Sequence, residues 1–403
     1  KYNTTGTENT FVGASAGVSN TTGGANTFVG KNAGNSSTTG DGNTFIGRQA
    51  GNANTTGWDN TFIGKDAGLN VTTADRNTFL GGSAGISTTT GAYNTFIGES
   101  AGYSNTTGGQ NTIIGMNAGR SNTTGGDNTN IGMYAGRYNT TGTRNIAIGN
   151  NALDAADTEN DNLGIGYDAL GGAIAGGESN VAIGNYSLDA NTEGDNNTAI
   201  GYNSLTANTT GSSNTMVGYE AGKANTTGTG NTFMGFNAGV ASTTTEYNAF
   251  FGAYSGENTT TAERNAFFGG ATGRLNTTGD RNTFIGRSAG YWNTTGSSNT
   301  FVGNAAGSLN ATASYNVVIG DEAGQYLTSG ENNSFVGYHA GWRNNTGTRN
   351  IAIGNNALDA PDTENDNLAI GYDALGGAIA GGEYNVAVGN YSLDANTTGD
   401  NNT

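Results

Sequence analysis

The chain has 403 residues, with 71 glycines, one proline, no cysteine and a formal charge of -17. Without cysteine there are no disulfides and no thiolate metal sites. Fifteen Lys and Arg scattered singly provide no basic stripe for phosphate, so nucleic acid is not an expected partner. No apolar run is long enough to insert in a bilayer.

Read in chain order, the sequence is one element repeated. Asn43-Thr-Phe-Ile-Gly47 recurs at Asn60, Asn77 and Asn94, each 17 residues on. From Asn9 to Asn402 there are 24 such anchors, separated by 21 steps of 17 residues and two of 18. With the anchor Asn as position 1, a coil reads N-T-F-I-G-x-x-A-G-x-x-N-T-T-G-x-x. Position 5 is always glycine (Gly47, Gly64, Gly81, Gly98), and position 4 is always apolar. A disordered polar chain has no physical reason to keep that register.

Seventeen residues cannot bury a core alone, so each repeat must be one unit in a stack. Asn, Thr and Gly are poor helix formers, whereas positions 2 to 4 carry β-branched and aromatic residues that suit a strand. Glycine and the NTTG run supply turns. The expectation is an all-β parallel β-solenoid over residues 1–403, a single continuous array of about 23 coils of 17–18 residues. A longer period lies over the short one: 144–198 returns at 349–403 with five differences, an offset of 205 residues. Both ends fall in mid-pattern, and the opening Lys1-Tyr-Asn-Thr is not a signal peptide, so a fragment of a longer repetitive chain is expected.

Alternation along a strand sends neighbouring side chains to opposite faces. In so short a coil the narrow interior is expected to take positions 2 and 4, leaving position 3 outside. Position 3 is Phe11, Phe28, Phe45, Phe62, Phe79 and Phe96, then Phe233, Phe250, Phe267, Phe284, Phe301 and Phe335. An apolar ridge of that length exceeds what a soluble monomer exposes, so these Phe are expected to form the interface of an oligomer. The Asn row (Asn43, Asn60, Asn77, Asn94) is expected to be a hydrogen-bonded ladder of stacked amides.

The coils 145–155 (NIAIGNNALDA), 180–190 (NVAIGNYSLDA) and 197–207 (NTAIGYNSLTA) resemble the head repeats of trimeric autotransporter adhesins, the YadA-like family. The full 17-residue form is similar to repeats of bacterial surface fibres and phage tail fibres. The resemblance implies a left-handed parallel β-roll assembled as a homotrimer, with Val181 and Ile183 inside the coil and Ala182 at the trimer core. The chain departs from that pattern in its longer coil and in the Phe at many position-3 sites.

Little in the sequence points to catalysis. The one histidine, His339, sits at position 7 with no nucleophile paired to it. The Gly171-Gly172…Gly176-Gly177 stretch lacks the strand and helix of a dinucleotide site and reads as a loop taking one extra residue. Asp154, Asp157, Glu159 and Asp161, with their copies Asp359, Asp362, Glu364 and Asp366, gather hard oxygen ligands of the kind Ca²⁺ favours. Their spacing matches no calcium loop, and a solvated acidic turn is the plainer reading; no other cofactor is implied. NTT triplets such as Asn54-Thr-Thr56 fit glycosylation sequons as well as turn chemistry. The expectation is a non-enzymatic extracellular fibre or adhesin stalk at a cell or virion surface, with a surface, matrix or glycan ligand on its loops. The alternative is a single-chain ligand-binding solenoid, ice-binding or calcium-dependent.

Overall fold

The computed structural model describes residues 3–155, 157–172, 176–360, 363–377 and 381–403. Its two compact units are Lys1–Ile200 and Gly201–Thr403. The first holds twelve three-residue strands from β1 (Thr10–Val12) to β12 (Thr198–Ile200), and the second eleven from β13 (Thr215–Val217) to β23 (Val386–Val388). There is no helix among the described residues.

Both units are parallel β-solenoids. Each coil contributes positions 2 to 4 to a parallel ladder in which like pairs with like: Thr44 with Thr61, Phe45 with Phe62, Ile46 with Ile63. The rest of the coil is turn. In the 17-residue coils four backbone positions lie at positive φ: in the coil of Asn43, Gly47 (138°), Gln49 (59°), Gly51 (57°) and, at its end, Asp59 (53°). Regular left-handed residues bend seventeen residues into a closed circuit without a helix.

Gly47 shows why position 5 admits nothing larger. A Cβ on Gly47 would stand 2.3 Å from the Gly64 carbonyl oxygen of the next coil, and its φ is one that L side chains avoid. Coil-to-coil stacking thus brings backbone onto backbone at this point in coil after coil, up to Gly371.

The faces of the strand are the reverse of the sequence expectation. Position 3 points into the coil and positions 2 and 4 point out. Phe28, Phe45, Phe62, Phe79 and Phe96 are 0% exposed within the single chain, as are Phe233, Phe250, Phe267, Phe284, Phe301 and Phe335; Phe11, in the first coil, is half-buried. These twelve Phe are therefore core and not an oligomer interface. Their rings stack one per coil, with centroids 4.8 Å apart for Phe28 and Phe45 and 4.9 Å for Phe45 and Phe62. Burial is worth ~1.5–3 kcal/mol per ring, repeated coil after coil. Likewise Val181 and Ile183 face outward, and Ala182 lies in the coil interior.

The interior has room for Phe because its other walls are small. Position 8 is a buried Ala (Ala33, Ala50, Ala67), and position 9 is glycine. A Cβ on Gly51 would meet the Phe45 ring at 2.6 Å. Where position 3 shrinks to Ala or Gly, position 9 becomes leucine: Ala147 with Leu153, Gly164 with Leu170, Ala182 with Leu188, Ala352 with Leu358. Leu153, Leu170, Leu188 and Leu358 are buried and keep the left-handed φ of the glycine they replace, at 50° or 51°. Outside the coil of Asn130, each interior takes one large apolar side chain while its point of attachment changes.

Polar groups complete the core. Asn60 N–H donates to Asn43 Oδ1 (3.0 Å), Asn77 N–H donates to Asn60 Oδ1 (3.0 Å), and Asn60 Nδ2 donates to the Ala74 carbonyl (2.8 Å). The same pattern runs through Asn43 and Asn94, all buried. The amide ladder lies inside the coil, where each bond satisfies a backbone group that water cannot reach.

Candidate functional site

The acidic turns do not converge on one point. Glu159 occupies position 15, usually small, and is only 4% exposed. Its carboxylate turns inward and accepts from Asp157 N–H (2.8 Å), Thr158 N–H (3.0 Å) and Gly176 N–H of the next coil (3.0 Å). Asp161 is held by the Arg144 guanidinium through two bonds, at 2.6 and 2.7 Å, and this keeps its carboxyl below the usual range. Asp157 takes a hydrogen bond from the Thr140 hydroxyl. Asp154 is half-buried, and burial raises its pKa, with Asp168 adding to the effect.

The copy repeats the arrangement. Glu364 accepts from Thr363 N–H (2.9 Å) and Gly381 N–H (2.9 Å), and Asp366 pairs with Arg349 (2.7 Å). Asp362 lies outside the described residues. Asp359 is pushed up to about 6, first by burial and then by Asp373, against the pull of His339 and Arg343. Among the described residues no three carboxylate or imidazole groups are placed to hold a metal ion together. The buried glutamates instead anchor the two 18-residue coils to the coils beneath.

His339 is half-buried. Its ring lies between Tyr338 and Trp342, at 3.8 and 5.0 Å, and its Nε2 is 2.9 Å from Glu322 Oε2. In the NTT turns, Asn54 is buried with its Nδ2 given to the Gly57 carbonyl (3.1 Å). Thr55 Oγ1 donates to the Thr72 carbonyl (3.0 Å), and only Thr56 faces outward. A folded coil has no free amide there for a sugar.

The outward face carries the most unusual surface. Threonine fills position 2 from Thr10 to Thr129, eight coils in succession, beside a position-4 row of Val12, Ile46, Leu80 and their neighbours. In three coils of the first unit with interior Leu, both outward rows become aliphatic: Ile146, Ile148, Leu163, Ile165, Val181 and Ile183; the coil with Leu205 keeps Thr198. Ile351, Ile353, Leu368, Ile370, Val386 and Val388 recur in the second, the last 65% exposed. Among the described residues no helix is long and apolar enough to cross a membrane.

Two features escaped the sequence reading. One is the exchange of bulk between positions 3 and 9, visible in the sequence as a strict pairing of small with Leu and large with Gly. The other is a run of large side chains in a turn row at position 11, Trp292, Leu309, Tyr326 and Arg343, where most coils have Ser or Ala. No protein-family model matches this chain, and no curated protein matches it.

Proposed function

We propose that this chain is a segment of an extracellular structural fibre or adhesin stalk, a rigid spacer without catalytic role whose copies associate side by side, three to a fibre. The observation that carries this is the outward strand face. Rows of Ile, Val, Leu and Met at position 4 stay partly exposed in coil after coil, although the coil interior is already full. Contiguous apolar rows on a soluble chain mark an interaction surface. Regular in-register stacking of identical side chains along each unit suits a stiff spacer, and the polar turns suit exposure to an outside medium.

The supporting experiment is the mass of residues 1–403 in solution, compared with a variant carrying Ile148→Thr, Ile165→Thr, Ile353→Thr and Ile370→Thr. The parent is expected to associate and the variant to remain folded as a smaller species. Association unchanged by these substitutions removes the outward face as the interface.

A further inference from the structure

In the second unit two concavities border the turn row at position 11, one on the side of position 13 and the other on the side of positions 7 and 10. One, of ≈ 480 Å³, is lined by Tyr326, Thr328, Arg343, Asn345 and Ala360. The other, of ≈ 370 Å³, is lined by Ser288, Tyr291, Trp292, Ala305 and Ser308. Trp292 and Tyr326 occupy position 11 two coils apart, roughly 10 Å along the stack at ordinary strand spacing.

Some exposed aromatic rings elsewhere on this unit have their faces taken, and Tyr247 and Tyr315, 59% and 62% exposed, line neither concavity. Tyr202, Tyr219 and Phe236 stack on one another at 5.4 and 5.2 Å with interplanar angles of 15° and 11°. Such a ladder offers only ring edges. Trp292 is 51% exposed and tilted 55° from Tyr291; Tyr326 is 43% exposed and meets Trp342 edge-on at 86°. Neither ring is stacked face to face with a neighbour. Trp342 supports Tyr326. It packs against His339 at 5.0 Å, donates from Nε1 to Gln325 Oε1 at 2.8 Å, and carries the Arg343 guanidinium 4.8 Å from its ring.

Hydrogen-bonding groups stand beside the open rings. The Arg343 guanidinium makes no ion pair and Asn345 Nδ2 no hydrogen bond among the described residues, and both border the larger concavity. A ligand that fits has apolar faces for the rings, many hydroxyl groups for these donors, and a linear form that follows the position-11 row from Trp292 to Tyr326. The half-buried carboxyl of Asp359, with Asp373, acts on the same neighbourhood as Arg343, so a polyanion is disfavoured.

From this arrangement we infer that Trp292 and Tyr326 are stacking platforms for a neutral, linear oligosaccharide lying along the solenoid, with Arg343 and Asn345 donating to its hydroxyl groups. The site gives the adhesive surface of the proposed fibre a ligand class, and it rests on that reading only for its biological setting. Binding belongs to one chain and is read whether or not copies associate.

The test is titration of the intact 403-residue chain with neutral hexose and N-acetylhexosamine oligosaccharides of increasing length, followed by tryptophan fluorescence and calorimetry. Expected are saturable binding that strengthens with length, and a loss of ~10-fold or more in affinity for Trp292→Ala and for Tyr326→Ala. Tyr219→Ala, in the stacked ladder, is expected to bind as the parent does, and far-UV circular dichroism shows that each variant is folded. No binding of any neutral oligosaccharide overturns the proposal, as does binding that both substitutions leave unchanged or that only acidic sugars produce.

Discussion

Phe45 and Gly51 face each other across the interior of one coil so closely that a Cβ on the glycine would lie 2.6 Å from the ring. The glycine is not demanded by its backbone alone. Leu153, Leu170 and Leu188 hold the same left-handed φ in other coils, opposite Ala147, Gly164 and Ala182. What excludes a side chain at Gly51 is the ring. Gly51→Leu is therefore expected to unfold its coil locally, and Phe45→Ala to cost ~3–5 kcal/mol through the cavity it leaves. The double variant rebuilds the arrangement of the coil at Asn145. Thermal and urea melts should show it to be more stable than either single variant, with a coupling of ~1–3 kcal/mol.

Asn130 interrupts the apolar row. It occupies position 3 between Ile113 and Ala147, is 2% exposed, and its Nδ2 has no hydrogen-bond partner among the described residues. An unpaired buried donor costs ~1–3 kcal/mol. Asn130→Ile, which repeats the residue one coil earlier, is expected to raise stability by that order in urea titration. A lower midpoint would mean that the amide is satisfied by a group such as an internal water.

In the Asn ladder, Asn60→Asp replaces a buried donor with a carboxylate facing the Ala74 carbonyl. Loss of the bond and burial of an unpaired charge predict destabilisation of ~3–5 kcal/mol, unless the group takes a proton. Thr61→Ser, on the outward face next to it, should change stability by less than ~0.5 kcal/mol. Hydrogen exchange at the amides of Asn60 and Asn77 reads the local effect directly.

The position of the strand in its ladder was legible in the sequence, and the direction of its side chains was not. Gly47 and its equivalents announce a place where no side chain fits, and backbone from the next coil fills that place. The Phe rows misled because seventeen residues seemed too few to surround a ring. Gly51 and Ala50 supply the missing volume: one has no side chain and the other a single methyl. The size exchange between Ala147 and Leu153 is the sequence signal that places position 3 inside, since two residues that trade bulk must share a space. Trp292 and Tyr326 carried no periodic signal, because they depart from the repeat and acquire meaning only from the concavities beside them.

Asp359 makes the solenoid sensitive to pH. Its carboxyl is pushed up to about 6 by burial and by Asp373, against His339 and Arg343, from ~3.9 in an unfolded chain. A raised value means that its favourable contribution is complete below about 4 and is lost as pH rises through about 6. Asp359→Asn removes that loss. The variant is expected to melt higher than the parent at pH 7, with the difference closing by pH 4; a difference of the same size at both values would assign the effect to packing.

Light scattering of the 403-residue chain over a wide concentration range tests the central claim most directly. A folded species of three times the 40.6 kDa chain mass is predicted, falling toward one chain when outward isoleucines are changed to threonine and unmoved by Trp292→Ala. A folded species of one chain mass at every concentration would contradict the associating fibre and leave a single-chain solenoid in its place.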